Sequence, residues 1–183
     1  MIDYSKDIHA LNIPWIESPF FQALVQNLQA TDAERELARE MHEKGYVIID
    51  LNLSNEYLDG LNRQIDKLAQ SEKIKTNTSY FSYNEHPRIV DAGKSVPQVV
   101  ELATHPNIIQ SLEFLYGREA IPFGTINFTH GSEQPLHSDS MHFGTVPAGF
   151  LAASWVALED IDKENGALRV VEGSHKFRNV DVS

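Results

Sequence analysis

The sequence predicts an α+β fold, in which helices fill the first 117 residues and β-strands follow. Apolar residues recur at steps of three and four up to Gly117, and short β-branched and aromatic runs come after it. Helices followed by strands, without regular alternation, favour an α+β layout or a helix-flanked β-barrel over a doubly wound sheet. The length of 183 residues suits a single domain, 1–183, with a helical part at 1–117 and a β core at 118–183.

The first 50 residues predict two helices and one strand. The spacing of apolar residues from Phe20 onward suits a short helix. Thr31 and Glu34 form a capping-box pattern that begins a second helix at about 31–44, which Gly45 ends. The β-branched and aromatic run 46–49 is too short for a helix, and we expect a buried strand there.

The middle of the chain predicts three further helices around a long loop. Ser54 is a candidate N-cap for a helix whose apolar face recurs at steps of three and four. Residues 71–95 lose periodicity and predict a loop, which could act as a lid over a cleft. Pro97 and Pro106 predict the starts of two more helices. After them we predict strands at 121–129, 150–158 and 168–171.

Composition excludes several classes of function. Fifteen Lys and Arg stand against 26 Asp and Glu, and a net charge of -11 argues against nucleic-acid and membrane partners. The chain has no cysteine, which excludes disulfides, thiolate catalysis and cysteine-bound metals. Any metal must therefore use His, Asp, Glu or water. The start, residues 1–10, lacks a basic segment followed by an apolar run, so we expect a cytoplasmic protein.

The densest polar cluster, residues 130–142, contains three histidines and two acidic residues. In an extended segment residues two apart project from the same face, so His137 and Asp139 would turn toward one point. An imidazole and a carboxylate are the sequence-local part of the two-histidine, one-carboxylate facial triad, which holds non-haem iron(II) with open coordination positions. We therefore predict that His137 and Asp139 are metal ligands and catalytic residues at a barrel mouth.

The same cluster has other interpretations. Short groups of His and Asp are common in solvated loops. His142 would point to the face opposite Asp139, so we expect it in a supporting or surface role, and His130 in a structural or solvated one. A hydrolase using zinc or another divalent ion through His137, Asp139 and His142 is a less favoured alternative, because no obvious general base accompanies them.

Four ordered motifs carry a family resemblance. These are the run 131–143, the run 155–160, residues 165–168 and the element Gly173-Ser174-His175-Lys176. Together they resemble the phytanoyl-CoA dioxygenase superfamily, strongly over 121–178 and more weakly before that. The resemblance implies a double-stranded β-helix, a jelly-roll barrel flanked by N-terminal helices. It also implies an iron(II)- and 2-oxoglutarate-dependent oxygenase that uses dioxygen to hydroxylate a small organic metabolite.

The resemblance also implies roles for individual residues. His137 and Asp139 take two iron positions, and Trp155 falls beside 2-oxoglutarate, although a tryptophan is equally a common core residue. His175 is not expected to be the distal iron ligand, since relatives carry that histidine and an arginine further along. The chain stops at Ser183 before that region, so we expect a barrel that lacks its last strands. A catalytically incomplete or non-catalytic barrel module is therefore the main alternative; the oligomeric state stays open.

Overall fold

Helices and one small antiparallel sheet make up the regular structure. The computed structural model describes residues 12–71, 80–83, 86–128, 134–141 and 143–177. The helices are α1 (Phe21–Asn27), α2 (Asp32–Lys44), α3 (Asn55–Ala69), α4 (Pro97–Ala103) and α5 (Pro106–Tyr116). The strands are β1 (Tyr80–Tyr83), β2 (His86–Val90) and β3 (Ile126–Phe128), and short 3-10 turns cover Trp15–Glu17, Ala92–Lys94, Asp139–Met141 and Ser174–Lys176. Within these ranges no helix is long and apolar enough to cross a bilayer.

The helices begin and end at the predicted residues. Thr31 and Glu34 form the capping box of α2, and Gly45 ends this helix in the left-handed conformation with φ of 84°. The hydroxyl of Ser54 accepts a hydrogen bond from the backbone of α3, as an N-cap does. Gly117 ends α5 with φ of 64°. Local sequence therefore fixes the helix boundaries, because each cap satisfies backbone groups that have no partner inside the helix.

Two clusters of buried apolar residues hold the helices together. The first joins the N-terminal turn, α1, α2 and α5 through Trp15, Ile16, Phe21, Leu24, Val25, Leu28, Ala38 and Leu115. The second joins α3, β2 and α4 through Leu61, Ile65, Leu68, Ile89, Ala92, Val96, Val99 and Leu102. The apolar face predicted for α3 is thus the face that it buries.

The sheet has the order β1-β2-β3, with antiparallel pairing throughout. Ile89 of β2 is buried in the second cluster and lies opposite Asn127 of β3. Directly opposed residues share a face, so one face of the sheet packs on the helices while Ile126 and Phe128 are exposed on the other. The prediction of a loop at 71–95 was wrong where β1 and β2 form. The polar residues around these two short strands obscured any strand pattern in the sequence, and pairing between strands stabilises them.

Three predicted strands do not form in the described part of the chain. Residues 46–49, 150–158 and 168–171 pair with no strand of the described ranges, and Ile48 is 85% exposed instead of buried. A strand needs a neighbour for its backbone groups, which an apolar run cannot supply by itself. The sequence of 150–158 instead packs on helices, where the side-chain amide of Asn62 donates to the carbonyl of Leu158 at 2.8 Å. The α+β class is confirmed, and the barrel stays a prediction.

Candidate metal centre

His137 and Asp139 converge in the structure. Nε2 of His137 lies 3.4 Å from Oδ1 of Asp139. The expected extended geometry is wrong at this point, since Asp139 begins the 3-10 turn Asp139–Met141. The turn, and not a strand, brings the two side chains to one place. Their convergence is the feature that a shared metal ion requires.

The imidazole of His137 is oriented by the chain just before it. Its Nδ1 lies 2.8 Å from the carbonyl oxygen of Pro135. A carbonyl oxygen only accepts hydrogen bonds, so this contact requires a hydrogen on Nδ1, and Nε2 is the ring nitrogen that lies beside Asp139. Metal-bound histidines commonly donate their other ring N–H in this way, which fixes the tautomer and the ring plane. The contact at Nδ1 therefore leaves Nε2 as the ring nitrogen that would bind a metal.

Two contacts of Phe143 hold the turn that carries Asp139. The amide of Phe143 donates to the carbonyl of Asp139 at 2.9 Å. The ring of Phe143 packs on Phe123, with centroids 6.0 Å apart and planes at 61°. This contact ties the turn to the segment that leads into β3. The site therefore depends on segments that precede and follow β3, and neither segment predicts this contact by its own sequence.

The donor set fits a first-row divalent ion. Two metal–ligand bonds of about 2.1 Å that meet at about 110° span about 3.4 Å, which is the spacing of the two donor atoms. One imidazole nitrogen and one carboxylate oxygen suit iron(II), zinc or a similar ion. The side chains of His137 and Asp139 are 29% and 53% exposed, so small ligands can reach the space between them.

The described ranges contain no group of three or more His, Cys, Asp or Glu residues that could hold a metal. His130, Glu133 and His142 belong to the same polar cluster but lie outside the described residues. The predicted roles of His130 and His142, and the zinc alternative that needs His142, therefore stay predictions. The described residues bring together His137 and Asp139, the two residues that the sequence predicts as ligands.

Trp155 is not a core residue. It is 46% exposed, so the interpretation as a core aromatic is wrong. Its neighbour Val156 packs on the second apolar cluster, as does Leu158. The hydroxyl of Tyr116 also donates to the carbonyl of Leu151 at 3.4 Å. The segment is thus anchored on the helices while the indole stays accessible. Its place beside 2-oxoglutarate stays a prediction.

His175 contacts a helix. Its Nε2 lies 3.1 Å from the carbonyl oxygen of His42 near the end of α2. That His175 is not the distal iron ligand stays a prediction. Glu172 accepts a hydrogen bond from the hydroxyl of Tyr46 at 3.0 Å. The Gly-Ser-His element therefore docks on the region around the end of α2.

Sequence reasoning missed two residues of the site. Pro135 orients His137 through a carbonyl, and Phe143 anchors Asp139 through an amide and a ring contact. The carbonyl could have been found, because a backbone group two residues before a histidine is within reach of its Nδ1. The contact of Phe143 with Phe123 could not, since it joins positions twenty residues apart in a region without a regular period.

A family model described as phytanoyl-CoA dioxygenase matches residues 41–182. The rat protein named peroxisomal phytanoyl-CoA dioxygenase is 33% identical over 108 residues, which cover 59% of this chain and 30% of that protein. The mouse protein of the same name is 28% identical over 153 residues, 83% of this chain and 40% of the relative. A probable phytanoyl-CoA dioxygenase of Caenorhabditis elegans is 29% identical over 134 residues, 71% of this chain and 38% of that protein.

The matched part of this chain spans between 30% and 40% of the length of these relatives. No solved structure matches. The family match includes the converging pair, the segment around Trp155 and the Gly-Ser-His element, so the parts described above all lie in the matched region.

Proposed function

The chain belongs to the phytanoyl-CoA dioxygenase family, and from this premise we propose that it serves the iron(II)- and 2-oxoglutarate-dependent oxygenation of a small organic metabolite. The observation that carries the proposal is the pair His137 and Asp139, whose donor atoms lie 3.4 Å apart. In the proposed site these two residues provide two of three iron ligands. The bound iron, with 2-oxoglutarate and dioxygen, supplies oxidative chemistry that turns a C–H bond into C–OH while 2-oxoglutarate is decarboxylated to succinate.

The chain contributes positioning and charge. The carbonyl of Pro135 accepts from Nδ1 of His137 and orients the ring, so that Nε2 would be the nitrogen that binds the metal. The carboxylate of Asp139 lowers the net positive charge of a bound dication by one. The amide of Phe143 fixes the backbone of Asp139 and thereby limits how far the carboxylate can move from His137. These contacts prepare the two ligands before a metal binds.

We further propose that 2-oxoglutarate binds next to the indole of Trp155. The accessible ring offers a flat apolar surface, and its neighbours Val156 and Leu158 anchor the segment on the second apolar cluster. An anchored aromatic can orient a small diacid without taking part in proton transfer. Trp155→Phe should then weaken 2-oxoglutarate binding while leaving metal affinity unchanged. Equal affinity for 2-oxoglutarate in both proteins would remove Trp155 from the site.

A metal-binding measurement tests the pair directly in the 183-residue chain. Under anaerobic conditions iron(II) is titrated by calorimetry, and we expect one equivalent to bind. His137→Ala and Asp139→Ala should each lose more affinity than the roughly 10–100-fold typical of changes to outer-shell groups. Ser138→Ala is the matched control, because Ser138 lies between the two ligands and its hydroxyl lies 2.7 Å from that of Ser140. Unchanged affinity in both ligand variants would end the assignment.

Turnover tests the reaction itself. The 183-residue chain, and any longer protein that its gene encodes, are incubated with iron(II), ascorbate and 2-oxoglutarate, and succinate is measured. We expect succinate from the complete protein and none from its His137→Ala or Asp139→Ala variants. Equal succinate in the wild type and both variants would contradict the proposal. Zinc at one equivalent together with hydrolysis would favour the hydrolase instead.

A second candidate is a binding module that keeps part of the fold without oxidising anything. It is favoured by one observation: the described residues contain no group of three or more His, Cys, Asp or Glu that could hold a metal. Such a module would bind iron(II) or 2-oxoglutarate and form no succinate in any version of the protein. The binding and turnover measurements together separate this candidate from the oxygenase.

We propose a substrate other than a coenzyme A thioester. The net charge of -11 opposes the approach of a ligand with several phosphates, and the sequence has no cluster of basic residues to bind them. Free coenzyme A should therefore fail to protect the protein against thermal unfolding at concentrations at which 2-oxoglutarate with iron(II) does protect it. We keep a cytoplasmic location as a prediction, and imaging of a tagged protein would distinguish it from the peroxisome for which the rat and mouse relatives are named.

A further inference from the structure

The turn 173–177 docks on the C-terminal end of α2. The amide of Gly173 donates to the carbonyl of Lys44 at 2.8 Å. Nε2 of His175 lies 3.1 Å from the carbonyl of His42. Both carbonyls belong to the last turn of α2, where backbone acceptors have no partner within the helix. Gly173 and His175 therefore provide hydrogen bonds to two of these end carbonyls.

Gly45 permits the close approach of His175. A side chain at position 45 would place its Cβ 2.9 Å from Cγ of His175 and would also overlap Nδ1. Gly45 adopts φ of 84°, which other residues rarely adopt. Two constraints therefore favour glycine at position 45: the left-handed backbone at the helix end and the imidazole ring that packs against it. The imidazole lies directly over the glycine.

The second nitrogen of His175, Nδ1, has no hydrogen-bond partner among the residues that the structure describes. The bond to the carbonyl of His42 requires a hydrogen on Nε2, since the carbonyl can only accept. Nδ1 is buried, and none of the described residues offers it a partner. In the neutral ring this nitrogen is only an unpaired acceptor. In the protonated ring it becomes a buried donor with no acceptor, which is far more costly.

The surrounding charges oppose protonation as well. Burial, the largest cause, lowers the pKa of His175; the bond to the carbonyl of His42 raises it by less, and nearby Lys176 and His42 lower it by smaller amounts. No described carboxylate forms an ion pair with the ring. Glu17 shares a cleft of about 400 Å³ with His42 and His175. The other charged or titratable groups at this end of α2 and beside the turn are Glu40, Glu43, Lys44, Tyr46 and Glu172.

These remaining groups are engaged elsewhere or exposed. Glu40 pairs with Lys44 at 2.7 Å, and Glu172 accepts from Tyr46 at 3.0 Å. Burial raises the pKa of Glu17, so it is a weaker source of negative charge as the pH falls. None of these groups therefore offers the imidazolium a compensating contact.

We propose that the imidazole of His175 is a proton-sensitive clasp, whose neutral form holds the turn 173–177 on the end of α2 and whose protonation releases that turn. Release would also open one wall of the cleft that His175 lines together with Glu17, Phe21 and His42. The clasp acts independently of the proposed metal site, because it involves neither His137 nor Asp139.

The direction of the pH dependence follows from linkage. The released turn exposes the ring to water, where the pKa is near the ordinary value of 6.5, and the clasped ring has a lower pKa. The clasp is therefore fully formed above pH 6.5 and weakens as the pH falls below it. One proton is taken up, so the opening equilibrium changes by up to about tenfold per pH unit.

Hydrogen exchange and the titration of the ring test the clasp in the 183-residue chain. Protection of the Gly173 amide, corrected for intrinsic exchange, should fall by up to about tenfold per pH unit below pH 6.5. NMR of the wild-type ring should give a pKa below 6.5 and the Nε2–H tautomer. His175→Gln keeps a donor that can reach the carbonyl of His42 but does not titrate, so its protection should not depend on pH. His42→Gln is the control for the neighbouring histidine and should keep the pH dependence.

Two results would overturn the clasp. One is a wild-type pKa of His175 at or above 6.5, which needs no variant to be measured. The other is an identical pH profile of Gly173 protection in the wild type and in His175→Gln. A profile that disappears in His42→Gln but persists in His175→Gln would assign the titration to His42 and would also refute the proposal.

Discussion

The indole nitrogen of Trp15 donates a hydrogen bond of 2.7 Å to the carbonyl oxygen of Phe114. The two residues are 99 positions apart, so the bond joins the first described turn to α5. Trp15 is fully buried and stacks on Phe21, with centroids 5.7 Å apart and planes at 18°. One residue thus ties together three elements of the first apolar cluster.

Loss of Trp15 should therefore destabilise the protein strongly. Trp15→Ala should lower the free energy of unfolding by about 3–5 kcal/mol, because it leaves a large cavity. Trp15→Phe should cost about 1–3 kcal/mol, since it leaves the carbonyl of Phe114 buried without its donor. Urea denaturation measures both. Phe20→Ala is the matched control: Phe20 is 73% exposed, and its replacement should change stability by no more than about 0.5 kcal/mol.

The capping box of α2 gives a pH-dependent prediction. Hydrogen bonds from Thr31 lower the pKa of Glu34 below its usual 4.5. The contribution of the box is therefore complete above pH 4.5 and is lost as the pH falls through the lower pKa of the folded protein. Thr31→Ala should cost about 1 kcal/mol at pH 7 and less in acid. An equal cost at pH 7 and pH 3, measured by urea denaturation, would contradict this account.

Gly45 should be coupled to His175. Gly45→Ala should cost about 1–2 kcal/mol for the left-handed backbone, and more because the new Cβ overlaps the ring of His175. The same change in a His175→Ala background should cost only the backbone part. A double-mutant cycle measures this coupling, which we expect to fall between about 0.5 and 3 kcal/mol. Additive effects of the two changes would mean that the ring and the glycine do not contact each other.

Tyr116 should weaken the protein at alkaline pH. Burial, with a smaller contribution from Glu17, raises the pKa of its phenol from 10.0 to about 12. The unfolded state therefore loses its proton first, and stability falls as the pH rises from 10 toward 12, by up to about 3 kcal/mol. A plot of the free energy of unfolding against pH should be flatter between pH 9 and 11 for Tyr116→Phe than for the wild type. If the two plots have the same slope, Tyr116 is not the group that causes the loss of stability.

Much of the helical part could be predicted from local sequence. A capping box, an N-cap serine, prolines at the first turn and glycines just past the end act on neighbouring backbone groups, so each boundary is determined within a few residues. The strands were predicted less well. Residues 46–49 and 150–158 have the right composition for strands, but a strand also depends on a partner, which may come from anywhere in the chain. The hairpin of β1 and β2 was missed for the converse reason, since pairing stabilised runs that carried weak local preference.

The sequence by itself determined the α+β class and the family, and it predicted the pair His137 and Asp139 as metal ligands, because these inferences depend on residue types at short, fixed spacings. Only the tertiary structure decided that a 3-10 turn brings this pair together, that Trp155 is exposed, and that His175 forms a hydrogen bond with a carbonyl at the end of α2. Each of these outcomes depends on which distant backbone or side chain lies within hydrogen-bonding or van der Waals distance. That proximity is set by how the two apolar clusters pack, and no short window of sequence contains it.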